Sequence, residues 1–276
     1  MRLLQGKAIV VDATVGAGGH AEALLDSGVD RVVGVDRDPD AIRLASETLA
    51  RFGPRFVAVV ARFSELDAAA ARAGVDRAGG VLFDLGVSSM QLDRPERGFS
   101  YRSPGPLDMR MGAGELTAGQ VVNTYPEEHL ARVIFEYGEE RHSRRIARAI
   151  VRARDRRPLR GSDELAAIVA GAVPRRRGGP HPARRTFQAI RIEVNQELEE
   201  LAASLPRAAS LLEPHGRLAV IAYHSLEDGM VKRFISGTPG LRAHTKKPIR
   251  PSAEEAAANP RARSARLRVA EREAAA

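Results

Sequence analysis

Short apolar runs alternate with helical patterns along the first third of the chain. Ala8–Val11, Arg31–Val35, Phe56–Val60 and Gly80–Asp84 are strand-length runs dominated by valine and other apolar residues. Between them, Ala21–Asp26, Pro39–Arg51 and Ser64–Ala73 carry apolar residues at helical spacing. This alternation predicts βαβ units, and so an α/β fold with a mainly parallel sheet. Asp38-Pro39 supplies an N-cap and a first-turn proline for the second of these helices.

After Asp84 the rhythm stops. The next buried strand, Arg217–Tyr223, follows a turn at Glu213–Gly216, and 127 residues separate Ser89 from Arg217. A crossover needs only about a dozen. Apolar positions 187, 190, 194, 198, 201, 205, 208 and 212 recur every three or four residues, which predicts a helix ahead of that strand. Pro206 is expected to kink or divide it. The span 95–191 then reads as an inserted, all-helical domain, with helices over Glu127–Phe135, Arg144–Arg154 and Asp163–Ala172 and a Gly/Pro/Arg loop at 174–185. Residues 1–94 and 192–276 form the discontinuous core. Beyond residue 237 the pattern predicts loose chain, except for an edge strand near Leu267–Val269.

Charge changes this picture more than overall composition does. The chain has 276 residues and is 43% hydrophobic, enough for a globular core in one or two domains. It has no cysteine, which excludes disulfides, thiolate metal sites and cysteine nucleophiles. No apolar run reaches the roughly 18 residues of a membrane span, and no secretory leader opens the sequence, so a soluble cytoplasmic protein is expected. Residues 141–191 hold fifteen arginines and three acids, +12 within a chain whose net charge is +8. Arginine suits phosphate forks and base stacking, so this stretch points to nucleic acid. An arginine-rich solvated surface is the plainer alternative.

The chemistry gathers at strand ends. Val10–Asp12 runs into Ala-Thr-Val-Gly16-Ala-Gly18-Gly19-His20 and then into a helix. Glycines here allow a tight turn and close backbone approach to a ligand. Asp36, at the tip of the second strand, is placed to take both hydroxyls of a ribose. The spacing Gly16-x-Gly18-x-x-Ala21 leaves NAD open. The acid at Asp12, and Asp84 at the end of the fourth strand, favour S-adenosylmethionine, since a carboxylate there can accept from turn amides or from the cofactor's ammonium group. Phe63, just past the third strand, suits an adenine face or a capping position in the core.

Seven blocks carry a close resemblance to a known family. They are Asp12–His20, Phe83–Ser89, Gln91–Phe99, Gly105–Met111, Tyr137–Arg141, Arg185–Ile192 and His224–Asp228, with Asn259–Ser264 near the end. The chain resembles the bacterial 16S rRNA (cytosine-N4)-methyltransferases from about residue 8 to 272. That resemblance implies a Rossmann-like class I methyltransferase with a helical insertion, acting on the exocyclic amine of a cytosine in the decoding region of 16S rRNA. It puts S-adenosyl-L-methionine contacts on Gly18, Gly19, His20, Asp36, Phe63, Asp84 and Gln91, with Gly16 joining them from the turn itself. Relatives carry a further segment with a His-x-Pro-Val-Leu-like block ahead of the first strand, whereas this sequence opens at Met1-Arg-Leu-Leu.

Many amino-methyltransferases place an Asn/Asp/Ser-Pro-Pro-aromatic motif after the fourth strand. Here Asp84-Leu-Gly-Val-Ser88 stands in that place. The first candidates to accept a proton from the target amine or to orient it are therefore Asp84 and Ser88. His224, Ser225 and Asp228 come second, and His224 suits a structural role equally well. Asp108 and Arg110 either position substrate or close on each other as an ion pair. Arg144, Arg145 and Arg185 are candidate RNA contacts. Phe99 and Tyr101 can stack on a flipped base or pack the insertion. His142, His181 and His215 show no metal-ligand spacing, and no metal is expected. The expected partner is 16S rRNA or the 30S subunit, with the protein a monomer or homodimer. The alternatives are an NAD-dependent oxidoreductase and a non-catalytic RNA-binding assembly factor.

Overall fold

The computed structural model describes residues 3–174 and 179–274, and the chain divides into two compact units, Met1–Gly86 with Leu198–Ala276, and Val87–Glu197. These boundaries lie before the 94/95 and after the 191/192 expected from the sequence. The first part runs β1 (Ile9–Asp12), α1 (Gly19–Asp26), β2 (Arg31–Asp36), α2 (Pro39–Thr48), β3 (Phe56–Val60), α3 (Leu66–Arg72) and β4 (Ala78–Asp84). Six helices follow: α4 (Ser89–Asp93), α5 (Ala118–Thr124), α6 (Glu127–Gly138), α7 (Ser143–Arg154), α8 (Ser162–Ala172) and α9 (Arg184–Asn195). The chain then continues through α10 (Glu197–Leu211), β5 (Leu212–Ala222), α11 (Ser225–Gly237), β6 (Leu241–Ala243), α12 (Ala253–Ala258) and β7 (Arg266–Arg272).

One seven-stranded sheet organises the first unit, in the order β3-β2-β1-β4-β5-β7-β6. β1 to β5 are parallel, and β7 pairs antiparallel with both β5 and β6. The valine runs of β1 and β2 are buried on both faces, as a helix-covered parallel sheet requires. Leu66, Leu201, Leu205 and Ile235 cover one face with α3, α10 and α11. Leu24, Leu25, Ala45 and Leu49 fill the other. Because β1 sits between β2 and β4, strand order reverses at its side, and open α/β sheets bind ligands at the carboxyl ends of such strands.

Four expectations need correction, the first being the loose chain beyond residue 237, which instead holds β6, α12 and β7. The strand at 266–272 is not an edge: β7 is paired on both sides, and the three-residue β6 forms the exposed border, short enough to resist edge pairing. The helix predicted over 39–51 ends at Thr48 and gives way to a 3₁₀ stretch, in which Gly53 takes φ 54°. The long helix ahead of β5 breaks at Gln196, whose φ of 52° closes α9, and not at Pro206. Pro206 stays inside α10, where its own position and Ala202, four residues earlier, face solvent. Water can satisfy the carbonyl that a proline leaves without a donor.

The second unit is helical, with Pro106 and Gly161 forming an isolated bridge. Its own core holds Ile134, Ile146, Ile150, Leu165 and Ile190, drawn from α6, α7, α8 and α9. Buried Asn195 ties the 109–111 segment to α9, donating to the Met109 and Arg191 carbonyls at 2.8 and 2.9 Å and accepting from Met111 N at 2.8 Å. Arginines 175–177 of the basic stretch lie outside the described residues, as does Gly178 in the predicted loop.

Candidate active site

Three acids end three adjacent strands of the first unit: Asp12 on β1, Asp36 on β2 and Asp84 on β4. The turn leaving β1 supplies the geometry between them. Gly16 takes φ 52° and Gly18 takes φ 92°, the left-handed region that side chains rarely adopt. Gly18 then starts α1, and a Cβ placed on it would come within 3.1 Å of Leu49. The Gly16 N–H donates to Asp36 Oδ2 at 3.0 Å, and Asp38 N–H donates to Oδ1 at 2.9 Å, so the second acid is fixed by backbone donors. Gly19 faces open space, with nothing within 4 Å of an added Cβ.

Asp12 is fully buried. Its Oδ1 accepts from Thr14 N–H at 3.2 Å, while Oδ2 has no hydrogen-bond partner among the described residues. Burial pushes its carboxyl up to about 6, with His20 and the Thr14 amide pulling the other way and Asp84 and Asp36 adding to the rise. Burial likewise raises Asp36 against the pull of the Asp38 and Gly16 amides. Asp84 is raised by burial and by nearby Glu227, opposed by His20 and by a hydrogen bond from Tyr223. That bond runs from the Tyr223 hydroxyl to Asp84 Oδ1 at 2.8 Å, while His20 Nδ1 lies 4.0 Å from Oδ2. Asp84 N–H donates to Thr14 Oγ1 at 2.7 Å, which locks β4 to the glycine turn.

Of the residues singled out in the sequence, the structure gathers Gly16, Gly18, Gly19, His20, Asp36 and Asp84 on the β1, β2 and β4 ends. Phe63 lies just past β3 in the same unit. It is half-buried and meets Phe83 edge-to-face at 5.9 Å. Ser88 and Gln91 belong to the second unit and form a capping box on α4, with reciprocal bonds of 3.1 and 3.2 Å. His224 caps α11: its Nδ1 accepts from Glu227 N–H at 3.4 Å, and Nε2 lies 3.0 Å from Glu227 Oε1. Asp228 is held by Arg268 at 2.6 Å and so ties α11 to β7.

In the second unit, Asp108 and Arg110 close on each other at 2.6 Å, which holds the Asp108 carboxyl below the usual range despite partial burial. Arg185 donates to the Glu139 carbonyl at 3.1 Å. Arg144 and Arg145 are exposed on α7. Phe99 is buried in the helical core, and Tyr101 stacks on His181 at 4.9 Å.

Two residues bonded into this site were not singled out in the sequence. Tyr223 is the last residue of the predicted fifth strand, and only the pairing of β5 beside β4 shows its hydroxyl reaching Asp84. Glu227 is buried and accepts from Tyr223 N–H at 2.9 Å, fixing the turn after β5. The spacing of His224 and Glu227 was the available signal, since a capping residue three positions before a glutamate marks a helix start.

These residues suit a ligand that brings hydroxyls and a cation. Three carboxylates around one turn accept from ribose hydroxyls and an ammonium group, whereas a dinucleotide's pyrophosphate would meet negative charge from all three. The unpartnered Asp12 Oδ2 is a buried acceptor of the kind a bound donor would satisfy.

A family model described as the MraW methylase family matches residues 2–273. A ribosomal RNA small subunit methyltransferase H of Methylobacterium sp. (strain 4-46) is 50% identical, over 99% of this chain and 87% of its own. The protein of that name from Carboxydothermus hydrogenoformans is 47% identical over 98% and 93%. The Deinococcus deserti protein is 51% identical over 95% and 86%. With this match running through both units, the chain belongs to the MraW methylase family and is a methyltransferase that uses S-adenosylmethionine.

Proposed function

We propose that this protein methylates the exocyclic N4 of a cytidine in the decoding region of 16S rRNA, within the cytoplasm, on naked rRNA or the 30S subunit. What carries the reading is the span of the likeness to proteins named for ribosomal RNA small-subunit methylation, 99% of this chain in one case. The arginine-rich helical unit supports an RNA substrate, and no helix among the described residues is long and apolar enough to cross a membrane.

Bound S-adenosylmethionine supplies the activated methyl group. In this reading Asp36 holds the ribose hydroxyls, Asp12 and the Gly16–Gly19 turn meet the amino-acid end, and Phe63 lies along the adenine. Gln91 is a further cofactor contact implied by the family resemblance. The cytosine amine is a weak nucleophile because its lone pair is conjugated into the ring. A carboxylate accepting one amine N–H keeps the nitrogen oriented and returns electron density to it. Asp84 takes this role, since Tyr223 occupies one of its oxygens and leaves Oδ2 facing His20. His224 acts through the turn it caps, as a positioning residue. Arg144, Arg145 and Arg185 serve the RNA, while Asp108 and Arg110 clamp their own loop by closing on each other.

Purified protein is incubated with methyl-labelled S-adenosylmethionine and 30S subunits from cells lacking the gene, and the rRNA nucleosides are mapped by mass. N4-methylation of one decoding-region cytidine is the expected outcome. Label on another nucleoside, or none with calorimetric binding of NAD instead, refutes the proposal. Asp36→Ala is expected to abolish cofactor binding, and unchanged affinity would remove the ribose assignment.

A further inference from the structure

A groove lies between α7 and α8 in the helical unit, with a volume of about 410 Å³. Its lining sets exposed Arg145, Arg148, Arg152 and Gly171 beside half-buried Ala149 and Ile168 and buried Ala172. The three arginines follow i, i+3, i+7 spacing and so share one helix face, in a row about 10 Å long. α7 carries five arginines and no acid. Arg148 reaches Glu127 at 3.4 Å, whereas Arg145 and Arg152 have no acidic partner among the described residues.

This constellation differs from a solvated charged face in having a floor. Ala149 and Ile168 are half-buried and Ala172 is buried, while exposed Gly171 has room for a side chain, with nothing within 4 Å of an added Cβ. The volume lies inside the range of roughly 300–1,000 Å³ typical of small-ligand sites. Like charges in a row self-repel unless a polyanion lies along them, so the arrangement favours an occupant that brings several negative charges at regular spacing. Guanidinium groups give forked contacts to phosphate oxygens and planar faces to bases, and the apolar floor suits a sugar or base.

We propose that the groove is a second RNA site, which binds a single-stranded stretch of the substrate through its phosphates, separately from the nucleotide that is methylated. The assignment rests on RNA being this protein's substrate.

The test uses the full-length protein and a fluorescent oligouridylate, which offers no cytosine amine. Binding is measured across a salt series. The triple variant Arg145→Gln/Arg148→Gln/Arg152→Gln is expected to bind about 100-fold more weakly at low salt. Its log–log salt slope is expected to be smaller by about 2, at roughly 0.7 for each phosphate no longer neutralised. Gly171→Leu keeps every charge, gains helix propensity and fills the groove, so it is expected to bind about 10-fold more weakly at nearly the same slope. Arg43→Gln/Arg207→Gln/Arg233→Gln removes the same charge from exposed positions of the other unit and is expected to bind nearly as the parent does. Melting curves verify that each variant is folded.

Parental binding by Gly171→Leu would overturn the proposal, and so would equal losses from the two triple variants. Oligoglutamate bound in the groove as tightly as oligouridylate would overturn the assignment to RNA. Groove variants that lose oligouridylate binding in a protein that methylates no rRNA would sink the proposed function and leave the groove standing. The reverse pattern would sink only the groove.

Discussion

Asp12→Asn separates the stability of the free protein from its affinity for cofactor, and its size follows from the structure. The Asp12 carboxyl is fully buried, has one backbone donor, and is pushed to about 6 from an ordinary value of 3.8. A carboxyl raised in the folded chain keeps its proton where the unfolded chain has lost it. Its contribution to stability is therefore intact below about pH 4 and declines as pH rises toward 6. The full loss is about 3 kcal/mol, of which roughly half has occurred by pH 5.

Asparagine keeps the acceptor for Thr14 and cannot ionise. The stability difference between variant and parent should then grow by about 1 kcal/mol in the variant's favour between pH 5 and pH 7.5. Urea unfolding at the two pH values measures it, and any constant offset from the new amide cancels in the comparison. Cofactor affinity is expected to move the other way, falling about 10-fold by calorimetry, since an ionised acceptor binds a cationic donor more tightly than an amide does. A stability difference that stays constant between the two pH values refutes the reasoning. A rise in stability with unchanged cofactor affinity refutes only the role assigned to Asp12 in binding.

Three further outcomes are expected. Tyr223→Phe removes the hydrogen bond that lowers Asp84, so the acid limb of kcat/KM should move to higher pH; an unmoved limb would detach Tyr223 from the chemistry. Gly18→Ala places a Cβ at φ 92°, against Leu49, and should cost about 1–2 kcal/mol in thermal unfolding together with most of the cofactor affinity. Asn195→Ala leaves the Met111 amide without its acceptor and removes the side-chain donor to the Met109 carbonyl, at a cost of about 2–3 kcal/mol by denaturant unfolding; less than 1 kcal/mol would show that the 109–111 segment is held by other contacts.

The alternation of valine-rich runs with helical segments determined β1 to β4 and their helices, because a parallel sheet buried on both faces admits only such runs. The glycine turn and the acids at 12, 36 and 84 were legible for a similar reason. Left-handed turn positions demand glycine, and an acid closing an apolar run stands at a sheet edge wherever that strand is placed. Which of these acids lose water, and which gain a partner, was decided only by tertiary structure. The burial that raises Asp12, and the placing of β5 beside β4 that brings Tyr223 onto Asp84, are properties of pairing between distant segments, and no local spacing encodes them. The same holds for β7, whose interior place depends on where β6 returns, and for the break at Gln196, where the dihedral angle of one residue outweighed the proline that looked decisive. Periodicity records which face of an element is apolar. Long-range pairing decides which groups lose water together, and so where charge becomes costly enough to be put to chemical use.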